Sequence, residues 1–484
     1  MYRASRATRA REPRVRATGS VRYNSFSLAR NLGRRLTTRA PMPPASASFA
    51  TPLARPAASV APSIRARVRV PARGASVVPR SDPPPGSLPV AAPDSSPAMS
   101  TGKPIPRKKW TVTKTGALSG LRLDEDELPP PGPGEVRVKV RAVGLNFADV
   151  FSVLGLYQAA PPTPFVPGLE LCGVVESVGP ARDDLPTGTV VPSYAPGDAC
   201  MAVVRFGAYA TAVNAPAHQT RPLPREWSHA QGAGFLVQGL TAFYALRGLG
   251  DVRRDQKVLV HSAAGGCGTF GVGICLAVGA EPIPVVGSER KKRVVMERFP
   301  RIAGDEIVIR PRRGKAFGAA VRAAATAIAV RKNETDLVSA ATCDIVMDAT
   351  MGDYFRGGWD NLNPGGGRYV VYGAADLTPA GDLSVFDVAG WAKLAWKYVR
   401  RPFVDPTNLP GLNKSVMGFN LIWMFHKVVA LGELLRDLTA LNLPPPPVGE
   451  TFAFRDAPKA LRRFQSGETV GKVVLVVEDE DEDE

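Results

Sequence analysis

Cysteine is scarce in this 484-residue chain, and the five present, Cys172, Cys200, Cys267, Cys275 and Cys343, form no CxxC pair. That spacing argues against a disulfide framework and against a structural zinc loop of clustered thiols. Histidine is scarcer still: His218, His229, His261 and His426 are the whole set. They show no ligand spacing, whereas a catalytic zinc needs about three N, S or O ligands from the protein, so each is expected on the surface or satisfied in a core. No apolar run reaches about 18 residues, the length a membrane-spanning helix requires. Acids are nearly missing from residues 1–100, which hold seventeen Arg, no Lys and only Glu12, Asp82 and Asp94. That segment therefore carries +14 of the formal +17, and the remainder is close to balanced.

A balanced remainder removes the case for nucleic-acid binding that the bulk charge would otherwise make. The leading segment is rich in Arg, Ala, Ser and Pro and lacks the apolar core of a secretory signal, the composition of an organelle transit peptide. Its length and its Arg and Pro content point to the chloroplast, with the mitochondrion as the alternative. A disordered tail, or translation starting at Met42 or at Met99 to give a cytosolic protein, are the other readings. Pro83 to Pro97 reads as a linker. The closing run Glu478 to Glu484 is all Asp and Glu and reads as a solvated tail.

Between these ends the pattern predicts two domains. VRVKVRAV (Val136 to Val143) alternates with the period of a half-buried antiparallel strand. PGLELCGVVESVG, GDACMAVV and GAYATAV follow as short strands between Gly and Pro, which suits a compact β-barrel over 105–235. From Trp227 the periodicity turns helical. VLVHS, EPIPVVG, EIVI, DIVMD, RYVVYG and SVMGFNL are then continuous apolar runs alternating with helical stretches, as in a doubly wound parallel sheet over 236–425. An Ala-rich helix candidate and the polar patch RKNETD between Arg312 and Thr342 make a long connection that reads as a surface insertion. Residues 426–477 give a helix, a strand, a helix and a last strand that should return to the barrel, and 478–484 is the acidic tail.

Gly266-Cys267-Gly268-Thr269-Phe270-Gly271 fits G-x-G-x-x-G after a buried strand, where a tight turn and a helix N-terminus can receive a pyrophosphate. Gly265 precedes it, and Gly373, which ends the RYVVYG strand, completes the glycines of the cofactor set. Past the second strand, VVGSERKKR offers Ser288, Lys291 and Lys292 beside Arg290, a setting for a 2′-phosphate and hence NADPH, although Glu289 argues the other way. A solvated helix face is the bland alternative for the basic cluster. Cys267 at the helix start is either a redox-sensitive thiol or a small buried filler.

GLNFADVFSVLGLY (Gly144 to Tyr157), PGLELCGVVESVG and VLVHSAAGGCG together resemble the zeta-crystallin-like quinone oxidoreductases of the medium-chain dehydrogenase/reductase superfamily, over roughly Arg107 to Val477. KSVMGFNLIWMF and TVGKVVLVV look most like the branch of the vesicle amine transport protein homologues. The resemblance implies an α/β protein with a GroES-like β-barrel catalytic domain and a Rossmann domain. Where zinc-dependent relatives carry an early Cys and a His-Glu pair, this chain has Asn146, and Leu169 precedes Glu170, so no metal is expected. The resemblance makes Asn146 and Tyr157 the donors that would polarise a substrate carbonyl, with Asp149 either orienting Asn146 or starting a helix, and Thr241 near the nicotinamide. Phe151 stands where some relatives carry a second Tyr. The implied chemistry is zinc-independent, NADPH-dependent reduction of a quinone or a related α,β-unsaturated carbonyl, with an enone or enoyl-thioester reductase as the rival. A catalytically weak nucleotide-binding protein with a membrane-trafficking or RNA-binding role is the alternative of a different class, although no Arg/aromatic stripe for RNA is present. GFNLIWMF is read as the last strand of the nucleotide domain and the edge of a homodimer, with peripheral membrane contact as its alternative.

Overall fold

The computed structural model describes residues 102–312, 314–377, 381–382 and 388–478. The transit-peptide reading, the linker and nearly all of the acidic run fall outside the described residues.

Two antiparallel strands, β1 (Ile105–Val112) and β2 (Leu121–Leu128), open the chain. β3 (Glu135–Gly144), β4 (Glu170–Val178), β5 (Ala199–Val203), β6 (Ala212–Pro216) and β7 (Thr220–Pro222) then build the barrel sheet, and α1 (Phe147–Val153) leaves the end of β3. β3 is not the half-buried strand that its alternation predicts. β4, β6 and the chain's last strand all pair with it, and even Arg137 is only 4% exposed. Its guanidinium reaches the carbonyls of Pro129 (2.7 Å) and Lys103 (3.2 Å), which is how a buried cation is satisfied here. GAYATAV also departs from the expectation, since Phe206 and Gly207 have positive φ and the strand starts only at Ala212.

α2 (His229–Gly232) and α3 (Leu236–Phe243) lead out of the barrel. Every residue of α3 is buried, because it is packed from both sides. Leu169, Cys172 and Met201 of the barrel share one apolar cluster with Leu236, Leu240, Phe270 and Ile274. The doubly wound part follows as β8 (Lys257–Val260), α4 (Gly266–Val278), β9 (Glu281–Val286), α5 (Glu289–Arg298), β10 (Val308–Ile309), α6 (Phe317–Arg331), α7 (Leu337–Ala340), β11 (Ile345–Asp348), α8 (Phe355–Asp360), β12 (Gly367–Val371), α9 (Val388–Val399), α10 (Leu409–Leu412) and β13 (Lys414–Gly418). Its six strands are all parallel, in the order β10-β9-β8-β11-β12-β13. The order reverses between β8 and β11, and at such a switch point the crevice at the carboxyl ends of the strands receives ligands.

The stretch expected as a surface insertion is a crossover helix. Phe317, Val321, Ala324, Ala325 and Ile328 of α6 recur at helical spacing and bury against Leu259, Ile283, Val285 and Val346 of the sheet. The alanines let the helix lie close, and Asn333, at φ 56°, turns the chain out of it. After β13, α11 (Val428–Ala440) packs Leu431, Leu435 and Leu438 inward. β14 (Val448–Ala453), α12 (Ala457–Gln465) and β15 (Lys472–Val476) complete the chain, and the barrel sheet has the order β14-β15-β3-β4-β5-β7 with β6 on β3.

Candidate active site

The end of β3, the start of β4 and the start of β15 bring three polar side chains into one dry place. Lys472 is fully buried and its Nζ lies 2.5 Å from Glu170 Oε1 and 3.2 Å from Asn146 Oδ1. Asn146 Nδ2 donates to Glu170 Oε1 (3.0 Å) and to the Gly144 carbonyl (3.1 Å), while Glu170 Oε2 accepts the Val237 N–H of α3 (3.0 Å). Burying an ammonium and a carboxylate is costly unless they are paired, and here each is paired with the other and further hydrogen-bonded. Gly144 makes room for this: a Cβ there would stand 1.9 Å from the Ala233 carbonyl oxygen and 2.7 Å from Lys472 Cε.

This arrangement bears on two expectations. Both Nδ2 hydrogens of Asn146 are spent within the protein, so its carboxamide holds the floor of the cleft together and is not a free donor aimed at a substrate. Beside Asn146 and Glu170 the third side chain is an ammonium, which cannot act as a metal ligand. Among the described residues no three His, Cys, Asp or Glu side chains come together in a way that could hold a metal. The donor set does not fit zinc.

Asp149 sits at the third position of α1 and accepts the Asn146 backbone N–H through Oδ2 at 2.8 Å, as in a capping box. The Tyr209 hydroxyl donates to the same oxygen at 3.2 Å, and Oδ1 is buried without a partner. Burial pushes the Asp149 carboxyl up to about 7, against the lowering effect of the Asn146 N–H and the Lys472 charge. Its two proposed duties are therefore one: it starts the helix and orients Asn146. Tyr157 lies across the cleft, where its hydroxyl donates to Asn420 Oδ1 at 2.9 Å and its ring meets Phe206 edge-on. Burial raises the Tyr157 phenol to about 12, so it stays protonated. Thr241, buried within α3, donates back to the Val237 carbonyl at 2.6 Å.

The glycine turn packs directly against the barrel's last strand. The Gly471 N–H donates to the Ala264 carbonyl at 2.8 Å, and Gly265 and Gly471 form a parallel bridge, so Lys472 and Cys267 are neighbours. Gly265, in an extended conformation, precedes α4, and Gly266 opens the helix beside the unpartnered, buried Gln238 Oε1. A Cβ on Gly268 would stand 2.2 Å from the Ser262 carbonyl oxygen, a backbone atom that cannot yield. The turn and the free N–H groups of a thirteen-residue helix fit a pyrophosphate. Desolvation pushes the Cys267 thiol up to about 12, which argues against a reactive thiolate, although its side chain is half-buried and not fully enclosed. Gly373 follows β12 and abuts the Ala349 carbonyl at the same sheet edge.

Ser288 caps α5 and accepts the Lys291 N–H at 3.3 Å. Lys291 and Lys292, adjacent in sequence, diverge on the helix. Lys291 Nζ reaches the Gly467 carbonyl at 2.7 Å, whereas the Lys292 ammonium lies beside Gly304, so Lys292 is not brought to the site. Arg290 donates to the Glu468 carbonyl at 3.1 Å. Sequence reasoning passed over Lys472, Gln238, Asn420 and Arg310. Lys472 carries a signal in retrospect, as the one cation opening the apolar run KVVLVV. Arg310 follows β10, with Nη2 at 3.4 Å from Ser262 Oγ. His261, at the end of β8, is fully buried with both ring nitrogens unpartnered, and burial holds it below the ordinary imidazole range, so it is neutral.

The comparisons with known proteins agree with this architecture. Residues 132–225 match the alcohol dehydrogenase GroES-like domain, and residues 323–475 match the zinc-binding dehydrogenase model. The synaptic vesicle membrane protein VAT-1 homolog of Rattus norvegicus is 30% identical over 386 residues, 77% of this chain and 84% of that protein. The solved human VAT-1 homolog-like protein is 25% identical with a TM-score of 0.56, covering 78% of this chain and 99% of that one. The quinone oxidoreductase of Thermus thermophilus, solved alone and with NADPH, is 27% identical with a TM-score of 0.54, over 76% and 99% of the two chains. A barrel and a doubly wound sheet joined through α3, matched along both halves by these relatives, mean that the chain belongs to the medium-chain dehydrogenase/reductase superfamily, in the family of the VAT-1 homologues.

Proposed function

We propose that the protein is a zinc-independent oxidoreductase that passes a hydride from NADPH to a quinone or a related α,β-unsaturated carbonyl. The observation that carries this reading is the glycine turn that opens α4 and touches the cluster of Lys472, Glu170 and Asn146, whose ammonium takes the place of a metal ligand. Quinone oxidoreductases of similar fold were solved with NADPH, which supports the same coenzyme here. When bound, the coenzyme supplies the hydride. The chain's own residues do the rest. The N-terminus of α4 holds the pyrophosphate, and Ser288 and Lys291 face the adenosine ribose. The Lys472–Glu170–Asn146 cluster keeps the floor rigid and dry. Tyr157, which stays protonated, turns its hydroxyl from Asn420 to the oxygen on which negative charge develops. The full chain should oxidise NADPH in the presence of a naphthoquinone or a short enone. Tight NADPH binding without turnover on either class would overturn the reading. Tyr157→Phe should lower kcat about 100-fold while leaving NADPH affinity unchanged.

A second reading, a catalytically weak nucleotide-binding protein at a membrane surface, is favoured by α9 and the residues after it. Trp396, Tyr398 and Phe403 are 62%, 59% and 85% exposed beside Lys393, Arg400 and Arg401, the composition of an interfacial helix. Co-sedimentation of the full chain with phosphatidylserine vesicles, lost in the double variant Trp396→Ser, Phe403→Ser, tests it.

The chain is further read as a plastid-targeted homodimer that pairs through β13, the outermost strand of the parallel sheet.

A further inference from the structure

Three strands of the nucleotide domain, β8, β9 and β10, end side by side, and Arg310 is the first residue past the third of them. Its N–H donates to the Val286 carbonyl of β9 at 2.8 Å, which fixes the backbone at the carboxyl edge of the sheet. The guanidinium reaches toward the glycine turn, with Nη2 at 3.4 Å from Ser262 Oγ and Cζ at 5.5 Å from the centroid of the Tyr354 ring. Nε is buried and has no hydrogen-bond partner. Among the described residues no carboxylate forms an ion pair with it. Of the two carboxylates whose charges reach it, Asp348 is already spent on the N–H groups of Thr350 and Met351 and on the Tyr369 hydroxyl, and Asp376 makes no bond to it.

The neighbouring cations are in the opposite condition. Lys291 and Arg290 are committed to the carbonyls of Gly467 and Glu468, in the loop that leads into β15. Burial, and then the charges of Arg310 and Arg290, hold Lys291 below its ordinary range against the opposing charge of Glu468, which puts the cations within reach of one another. Ser288 caps α5 on the same edge, and no atom lies within 4 Å of where a Cβ on Gly287 would be, so the space in front is open. A pair of mutually repelling, partly buried cations beside two hydroxyls is a site that awaits a dianion. A planar guanidinium with an unsatisfied N–H is the group best suited to grip it.

We propose that Arg310 reads the 2′-phosphate of the coenzyme's adenosine ribose, closing on it from β10 while Ser288 and Lys291 face it from α5. Arg310, and not the Lys291–Lys292 pair, is then the principal residue by which the protein distinguishes the phosphorylated coenzyme from its unphosphorylated form. This rests on the dinucleotide reading above, and the experiment separates the two. Calorimetry on the full chain would compare NADPH, NADH, adenosine 2′,5′-bisphosphate and 5′-AMP for the wild type, Arg310→Met and Arg310→Lys. Arg310→Met should weaken NADPH and the bisphosphate about 10- to 100-fold and leave NADH and 5′-AMP unchanged. Arg310→Lys should fall between, since a point charge keeps the attraction and loses the bidentate grip. The unchanged NADH affinity also reports that the variant is folded. NADPH binding undiminished in Arg310→Met would overturn the proposal, and so would an equal loss for both coenzymes, which would mark Arg310 as a stacking platform for adenine. A wild type that binds neither coenzyme would overturn the function proposed above together with this inference.

Discussion

At the scale of single residues, Lys472 and Asp149 illustrate how burial turns ordinary side chains into structural pins. Lys472→Met leaves Glu170 as a buried carboxylate with no cation, and removing one partner of such a pair costs about 3–5 kcal/mol. Denaturant unfolding should show that loss, with Lys472→Arg recovering part of it. For Asp149 the sign follows from its pKa. A carboxyl that titrates near 7 in the native protein and near 4 when unfolded binds its proton more tightly in the folded state. Its contribution to stability is therefore fully present below about pH 4 and is lost as pH rises toward 7. Asp149→Asn keeps an oxygen to accept the Asn146 N–H but has no proton to lose. The variant's stability relative to wild type should therefore climb between pH 4 and 7, measured by urea denaturation across that range. Asn146 and Asp149 are legible in the sequence as a pair because they sit three apart at a helix start. That the Asn amide faces inward to Lys472 is not, because its partner is 326 positions away.

At the scale of elements, the glycine turn is where local sequence speaks most directly. A buried apolar strand, a tight turn and a helix are all encoded within about twenty consecutive residues, and G-x-G-x-x-G has a steric meaning that does not depend on the rest of the chain. The glycines in and just before this motif are not equivalent, however. A Cβ on Gly265 would meet the Ser262 carbonyl oxygen at 3.2 Å, a contact that a small shift relieves, whereas on Gly268 it would meet the same atom at 2.2 Å. Gly268→Ala should abolish coenzyme binding and lower Tm, while Gly265→Ala should keep the fold, with thermal melts and calorimetric titration as the measurements. α6 illustrates the opposite case. Its alanines read as a helix in a surface insertion, yet the sheet they cover makes them core, because a small side chain on a crossover helix is what close packing against strands requires. Lys291 and Lys292 likewise read as one basic patch until the 3.6-residue helical period sent them to different neighbours.

At the scale of the whole molecule, charge is partitioned along the chain. Residues 1–100 carry +14 of the formal +17, and the remainder of the chain is close to balanced. A fluorescent fusion of residues 1–100 should enter chloroplasts in plant cells, and retention in the cytosol would remove the targeting proposal. The two domains are held by shared burial of α3 and by the return of β15 to the barrel.

What the sequence determined by itself is the class of fold and the nucleotide turn, because both rest on periodicities and steric rules that act over a few neighbouring residues. Only the tertiary structure decided what joins Asn146 and Glu170 and which cations meet at the carboxyl edge of the sheet. Lys472 joins Asn146 and Glu170, and Arg310 joins Ser262 and Lys291, through strands far apart in the chain. Such pairings depend on strand order and on desolvation, and neither leaves a mark in local composition.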